Sequence, residues 1–264
     1  VKLIQIDIEP GEINRSQLAD IAIQGDARLV LQQLVASARA RLPASRLAPI
    51  AARTAAIESM RKRWDEVCAP ELNSDAVPMN PFRVTRDLCA LIDPARTVML
   101  HDAGTVRGTI CHHYPAVRPR SFLGFGAQSS MGWSIGAAFG AKKADPSKLV
   151  VAIIGEEAFQ ETAMDIETSV RNEAPVLIIV KNNRKKVPEG SQNDKRLDYV
   201  RFHRGLDIGA FAASVGAKTI RIDDPRKLKA QLAEAIASVE AGVTTVVDAV
   251  TTRVNPSLDR LWFK

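Results

Sequence analysis

Residues 149–183 read LVVAIIGEEAFQETAMDIETSVRNEAPVLIIVKNN. The stretch opens on a continuous apolar run, 149–154, and nears its end on another, 176–180. Short runs rich in Val and Ile, with no polar alternation, are what strands covered on both faces look like. Between them Phe159, Ala163, Ile166 and Val170 recur at helical spacing, which predicts one helix over 158–172. A helix between two strands carries the chain back to the end where it started, so the two strands run parallel.

The same alternation extends outward on both sides. Upstream, 97–101 (TVMLH) is a short apolar run and 131–143 a helical stretch of small residues. Downstream, 208–215 reads as helix, 219–222 as strand, 225–241 as helix and 244–250 as a last strand. The pattern predicts an α/β fold: a doubly wound, mainly parallel sheet with helices on both faces. Such sheets bind ligands at the carboxyl ends of their strands. Attention therefore falls on the strand ends at Gly155 and Lys181.

The first 80 residues are different. Residues 1–9 alternate apolar and polar positions, the period of a strand, and Pro10-Gly11 ends it. Gly25-Asp26 precedes a helical pattern with Leu29, Leu31, Leu34 and Val35. Over 43–81 the chain turns Ala-, Arg- and Pro-rich, with a surface helix expected near 50–67 and Pro70, Pro78 and Pro81 marking a linker. The expected organisation is 1–44 as the end of one domain, 45–80 as linker and 81–264 as a second domain. The start at Val1, without Met and inside a strand pattern, suggests a fragment or a start site placed too late. It shows no basic region followed by an apolar block, so it does not read as a signal peptide.

Composition narrows the function classes. With 46% hydrophobic and 25% charged residues, a core-forming globular chain is expected. No apolar stretch approaches the roughly 18 residues of a membrane span. The net charge of +6 suits anionic ligands. Basic residues are scattered apart from Arg184, Lys185 and Lys186, and no aromatic interleaving provides base stacking, so nucleic acid is not an expected partner. Cys68, Cys89 and Cys111 fit neither zinc spacing nor a disulfide framework, and read as reduced, mostly buried thiols of a cytoplasmic protein. No dinucleotide fingerprint or Walker-type motif follows a strand, which argues against other nucleotide-binding α/β proteins.

Both strand ends carry polar residues with chemical potential. Gly155-Glu156-Glu157-Ala158 lies at a strand-to-helix turn, where backbone N–H groups can receive a phosphate. Two carboxylates would repel a bare phosphate, so a bridging cation is implied. Asn182-Asn183, at the next strand end, adds hard oxygen donors suited to Mg²⁺ or Ca²⁺. The plainer alternatives are a helix-dipole role for the glutamates and a turn role for the asparagines. His112-His113 face different ways if helical, which favours a surface or structural role. Gly132, Gly136 and Gly140 read as a close-packing face.

Four segments together resemble one family. Thiamine-diphosphate enzymes of the acetolactate synthase and pyruvate decarboxylase type carry a Gly-Asp-Gly turn and, about 27 residues on, an Asn-Asn pair; here 182 − 155 = 27. Residues 125–133 (FGAQSSMGW) resemble the family's Gly-rich turn before a small-residue helix, and His101-Asp102-Ala103-Gly104 its Asp-x-Gly. Residues 1–15 resemble the end of its central domain. The acetolactate-synthase-like subgroup fits best.

The resemblance implies a thiamine-diphosphate-binding fold and a set of roles. Glu156 and Asn183 would be metal ligands, with the backbone carbonyl of Lys185 as a third, for Mg²⁺. Gly104, Thr105, Gly155, Glu156, Glu157, Ala158 and Asn183 would surround the diphosphate end. Ser129, Ser130 and Met131 would meet the rings, with the Ser129 carbonyl accepting from the aminopyrimidine and Met131 wedged between the rings. Taken alone, Met131 also reads as ordinary core filling. No catalytic residue is expected in this chain: the activating glutamate belongs to the family's N-terminal domain, contributed by a second subunit or by a missing part. FAD is compatible with the resemblance but falls in the central domain. The implied function is the cofactor-binding portion of a carboligase or 2-oxoacid decarboxylase, a lyase or transferase, in a homo-oligomer acting on a 2-oxoacid and inactive alone. Three departures, Glu156 for Asp, Glu157 for a small residue and Pro188 in the following loop, motivate the alternative: a non-catalytic remnant or interaction subunit that keeps the fold.

Overall fold

The computed structural model describes residues 2–43, 49–183, 206–252 and 254. It divides into two compact units, Val1–Arg63 and Trp64–Lys264.

In the first unit, β1 (Ile4–Asp7) and β2 (Ile21–Gln24) pair in parallel, Ile4 opposite Ile21. Helix α1 (Ala27–Arg41) follows, its first turn closed by the Asp26 carboxylate accepting the Leu29 N–H at 3.0 Å. The leucines of its apolar pattern are not covered: Leu29 is 50% exposed and Leu31 54%. No residue of α1 is buried.

Helix α2 (Pro49–Leu72) occupies much of the segment expected as linker, and the division between the units falls inside it. Pro70, read as punctuation, lies within the helix, in its final turn. Pro81 is likewise not linker but the first residue of α3 (Pro81–Cys89), where a missing N–H costs nothing. Asn80 caps α3 by accepting the Phe82 N–H at 2.9 Å.

The second unit is built on a six-stranded sheet. Its strands are β3 (Thr97–His101), β4 (Phe122–Leu123), β5 (Leu149–Gly155), β6 (Leu177–Asn182), β7 (Lys218–Ile222) and β8 (Thr245–Val250). They stand in the order β4-β3-β5-β6-β8-β7, and every pairing is parallel. The continuous apolar runs are explained by two cores. Val151, Ile153, Leu177 and Ile179 face α3, α4 (Thr105–Cys111) and α9 (Pro225–Glu240). Val150, Ala152, Ile154, Ile178 and Val180 face the other side, with α5 (Trp133–Ala144), α6 (Glu156–Thr162), α7 (Asp165–Arg171) and α8 (Ile208–Ser214). The alternation puts successive side chains into opposite cores, so both faces of each strand must be apolar.

Several expectations are corrected. The helix predicted over 158–172 is two helices, α6 and α7, separated at Ala163 and Met164; Met164 is 63% exposed at the break. Helix α5 begins at Trp133 rather than 131, because Gly132 has φ +80° and stands outside the helix as its cap. Of the three glycines read as a packing face, Gly132 and Gly136 meet neighbours closely, but a side chain at Gly140 would meet open space. Of the thiols, Cys68 is buried, Cys89 half-buried and Cys111 exposed.

Candidate functional site

The strand order sets the site's position. The chain leaves β3 through α4 to β4 on one side, then crosses back through α5 to β5 on the other. A crevice opens at such a switch, at the carboxyl ends of the two strands. A cavity of about 320 Å³ lies there, lined by Ala103–Val106 after β3, Gly155–Ala158 after β5, Asn183 after β6, and Ser129 and Met131 before α5. The lining includes every position singled out for the cofactor except Ser130; Lys185 lies outside the described residues.

Three turns carry the lining. After β3, Asp102 is fully buried and its carboxylate accepts three backbone N–H groups: Ala103 at 2.8 Å and Gly132 at 2.9 Å on Oδ1, Ser134 at 3.0 Å on Oδ2. Gly104 follows in the left-handed region at φ +76°. Before α5, Gly126, Ser129 and Gly132 all have positive φ, and Ser129 at +55° is a conformation a serine adopts at some cost. Met131, 43% exposed, stands in this turn with its side chain lining the cavity rather than filling a core.

After β5, Gly155 has an ordinary φ of −83°, and a Cβ added to it would meet nothing within 4 Å. Neither backbone conformation nor packing within the protein requires glycine there. Close approach of the backbone by a ligand is the remaining physical use of that residue. The next residue, Glu156, is 7% exposed, and the Asn183 N–H points to its Oε2 at 3.4 Å. β5 and β6 are neighbours with Gly155 opposite Lys181, so the glutamate and asparagine ends sit side by side. Of the two asparagines, Asn182 is turned away, its Nδ2 donating to Asp248 Oδ1 at 2.9 Å, while Asn183 lines the cavity.

The donor set fits a hard cation bridging a diphosphate: one carboxylate and one amide oxygen beside a backbone-lined turn. Among the described residues no group of three His, Cys, Asp or Glu could hold a metal ion. Glu156 and Asn183 are the described residues that would hold such a cation, whose charge would offset that of a bound diphosphate.

Sequence reading marked Lys181 as a strand end but gave its side chain no role. Its side chain enters the face opposite Asn182, where Nζ donates to Thr85 Oγ1 at 2.7 Å and Thr109 Oγ1 at 2.6 Å. Burial pushes the Lys181 ammonium down to about 7, with a small opposing contribution from Cys89. It borders a 40 Å³ cavity shared with Gly155, Glu156 and Asn183. A lone lysine closing the apolar run VLIIVK was the available signal. His112 and His113 take the structural role expected: their rings pack with Trp64 (centroids at 5.3 and 6.2 Å) and, for His113, Phe82 (5.5 Å).

A doubly wound parallel sheet with a cavity at its switch point, walled by three backbone turns and a buried acid, defines an α/β protein with its candidate ligand site at the strand ends. Residues 102–249 match the family model for the thiamine pyrophosphate enzyme C-terminal TPP binding domain, and the chain belongs to that family. It is 31% identical over 258 residues to a probable acetolactate synthase large subunit of Methanocaldococcus jannaschii, covering 93% of this chain and 42% of the relative. Similarity extends to the acetolactate synthase isozyme 3 large subunit of Escherichia coli K12 (26% over 265 residues, 93% and 43%). A 2-hydroxyacyl-CoA lyase of Arabidopsis thaliana is 28% identical over 262 residues (94% and 45%). The chain spans less than half the length of these curated relatives. No described helix is long and apolar enough to cross a membrane.

Proposed function

We propose that this chain forms the diphosphate- and magnesium-holding part of an acetolactate-synthase-like carboligase or 2-oxoacid decarboxylase. The observation that carries the reading is the cavity joining Gly155–Ala158, Asn183 and Met131 at the β3/β5 switch. When bound, thiamine diphosphate supplies the electron sink for loss of carbon dioxide from a 2-oxoacid. The chain's own residues bind and orient: Glu156 and Asn183 hold the cation, the Gly155 turn offers N–H groups to the diphosphate, and Met131 fixes the rings. Orientation of this kind is worth several kcal/mol, about 7–11 at the limit. The activating glutamate comes from a domain or subunit outside this chain, in a homo-oligomer.

A second reading has its own observation. Glu157 lines the same cavity, adding a second carboxylate where the diphosphate would lie. That favours a remnant that keeps the fold but has lost the cofactor. Calorimetric titration with thiamine diphosphate, with and without Mg²⁺, separates the two. Metal-dependent binding that Asn183→Ala weakens by tenfold or more is the expected result. A folded chain, co-expressed with its partner, that takes up no ligand at millimolar concentration would establish the remnant.

A further inference from the structure

The turn that carries Met131 and the turn that faces the diphosphate are separate in sequence, yet one residue joins them. Gly132, the residue after Met131, is held at both ends. Its N–H donates to Asp102 Oδ1 at 2.9 Å, from the end of β3. Its carbonyl accepts from Thr162 Oγ1 at 2.9 Å, from the last residue of α6. The same hydroxyl lies 3.4 Å from the Ala158 carbonyl. Ala158 itself lines the cavity beside the diphosphate turn. A hydroxyl has one proton, so Thr162 gives it to the nearer Gly132 carbonyl instead of its own helix.

The fit around this residue is close. Gly132 is buried at φ +80°, and a Cβ added to it would fall 2.4 Å from Thr162 Cγ2. The Asp102 carboxylate is fully buried and bonded to backbone on both oxygens, so the β3 end of the clamp has little freedom. The Thr162 end is a single neutral hydrogen bond and is the adjustable member.

We infer that Thr162 is a positioning residue: through the Gly132 carbonyl it fixes the Met131 turn at a set distance from the diphosphate turn, so that ring recognition and diphosphate recognition act as one event. This rests on the proposed thiamine-diphosphate reading of the cavity. A ligand carrying both parts gains from the alignment; one carrying the diphosphate alone does not. Removing the hydroxyl takes from the buried Gly132 carbonyl its bond across to α6 and lets the Met131 turn shift against that helix, while the Gly155 turn stays at the other end of α6.

The experiment compares two probes on the full chain in its native oligomer. Thiamine diphosphate and inorganic pyrophosphate, each with Mg²⁺, are titrated calorimetrically into wild type, Thr162→Val and Thr162→Ser. Valine keeps the shape and the methyl group; serine keeps the hydroxyl. One net hydrogen bond corresponds to about a fivefold change in affinity. Thr162→Val is expected to weaken thiamine diphosphate about fivefold and pyrophosphate less than twofold, with Thr162→Ser within twofold of wild type for both. Equal weakening of both probes in Thr162→Val would reduce Thr162 to a support of α6 and overturn the inference. So would no change in either. A wild-type chain that binds neither probe would refute the proposed function, and the inference with it; a wild-type chain that binds both, with an unaltered valine variant, refutes the inference alone.

Discussion

The two units of this chain use similar proportions of apolar residue to different ends. In Trp64–Lys264 the sheet's side chains fall into two sealed cores, and Phe159, Ile153, Ile178 and Leu177 are wholly inaccessible. In Val1–Arg63 a parallel strand pair and a helix show Ile4, Ile21, Leu29, Leu31, Leu34 and Val35 between 42% and 54% exposed. An apolar pattern therefore records what a segment is prepared to bury, not what it buries. The first unit leaves these side chains open, and the second seals its own in an interior.

The largest test of that contrast is a pair of truncations. Phe159→Ala, in the core between α6 and α8, should cost about 3–5 kcal/mol in chemical denaturation. Leu31→Ala, on the uncovered side of α1, should cost less than about 0.5 kcal/mol. A cost at Leu31 near that of a core residue would break the comparison, since it would mean that α1 is covered in solution.

Next in size is the effect of Lys181, a buried cation whose Nζ is held by two threonine hydroxyls. Its folded value of about 7 lies below the ordinary 10.5. Between those pH values the unfolded chain holds a proton that the folded chain has released, so stability rises with pH through this window. Below about 7 the full cost of burying the ammonium is present. Cys89 acts in the opposite sense: burial raises its thiol from 9.0 to about 11, so above pH 9 the unfolded chain loses a proton the folded chain keeps, and stability falls. Wild type should gain about 2–3 kcal/mol between pH 7 and 9. Lys181→Met should be flat over that range and more stable than wild type at pH 7 by about 2–4 kcal/mol. The two threonine hydroxyls stay satisfied in the variant, through the Pro81 and Val106 carbonyls. Urea denaturation at several pH values reads both effects.

The smallest effect belongs to the first unit. With no buried face, α1 depends on local terms, and its Asp26 cap is one of them. Asp26→Ala should cost about 1 kcal/mol, seen as faster hydrogen exchange of α1 amides with no change in the protection of β5 or β6. Parallel loss of protection in both units would mean that they open together.

How much of this was legible beforehand follows the same division. The strands at 149–154 and 176–180 were readable because a strand covered on both faces leaves an unbroken apolar run; those at 97–101 and 244–250 were read from shorter runs and from the strand–helix alternation. The break between α6 and α7 was not, since Ala163 and Met164 continue the helical spacing while the backbone interrupts it. Helix α3 was hidden behind three prolines, although Asn80-Pro81 is a good cap and first-turn pair. At the site, Glu156 and Asn183 announced themselves as polar residues where apolar runs stop. Asp102 was marked only through the Asp-x-Gly resemblance and Thr162 not at all, because the bonds that give them their roles run to Gly132 and Ser134, about thirty residues away, and a single sequence carries no mark of such pairings.

The position of β8 has a consequence for biosynthesis. This strand lies between β6 and β7, although both precede it in the chain. Its arrival alone completes the sheet, and it also carries Val250, whose carbonyl accepts the Met79 N–H at 3.2 Å. A ribosome adding roughly 5–20 residues per second takes about 3–14 s to travel from Asn182 to Val250. Through that interval β6 presents an open, strongly apolar edge beside a half-made cofactor site. Nascent chains would meet chaperones in this state, and a rare codon placed between the two strands would lengthen the exposure without altering a single residue of the finished protein.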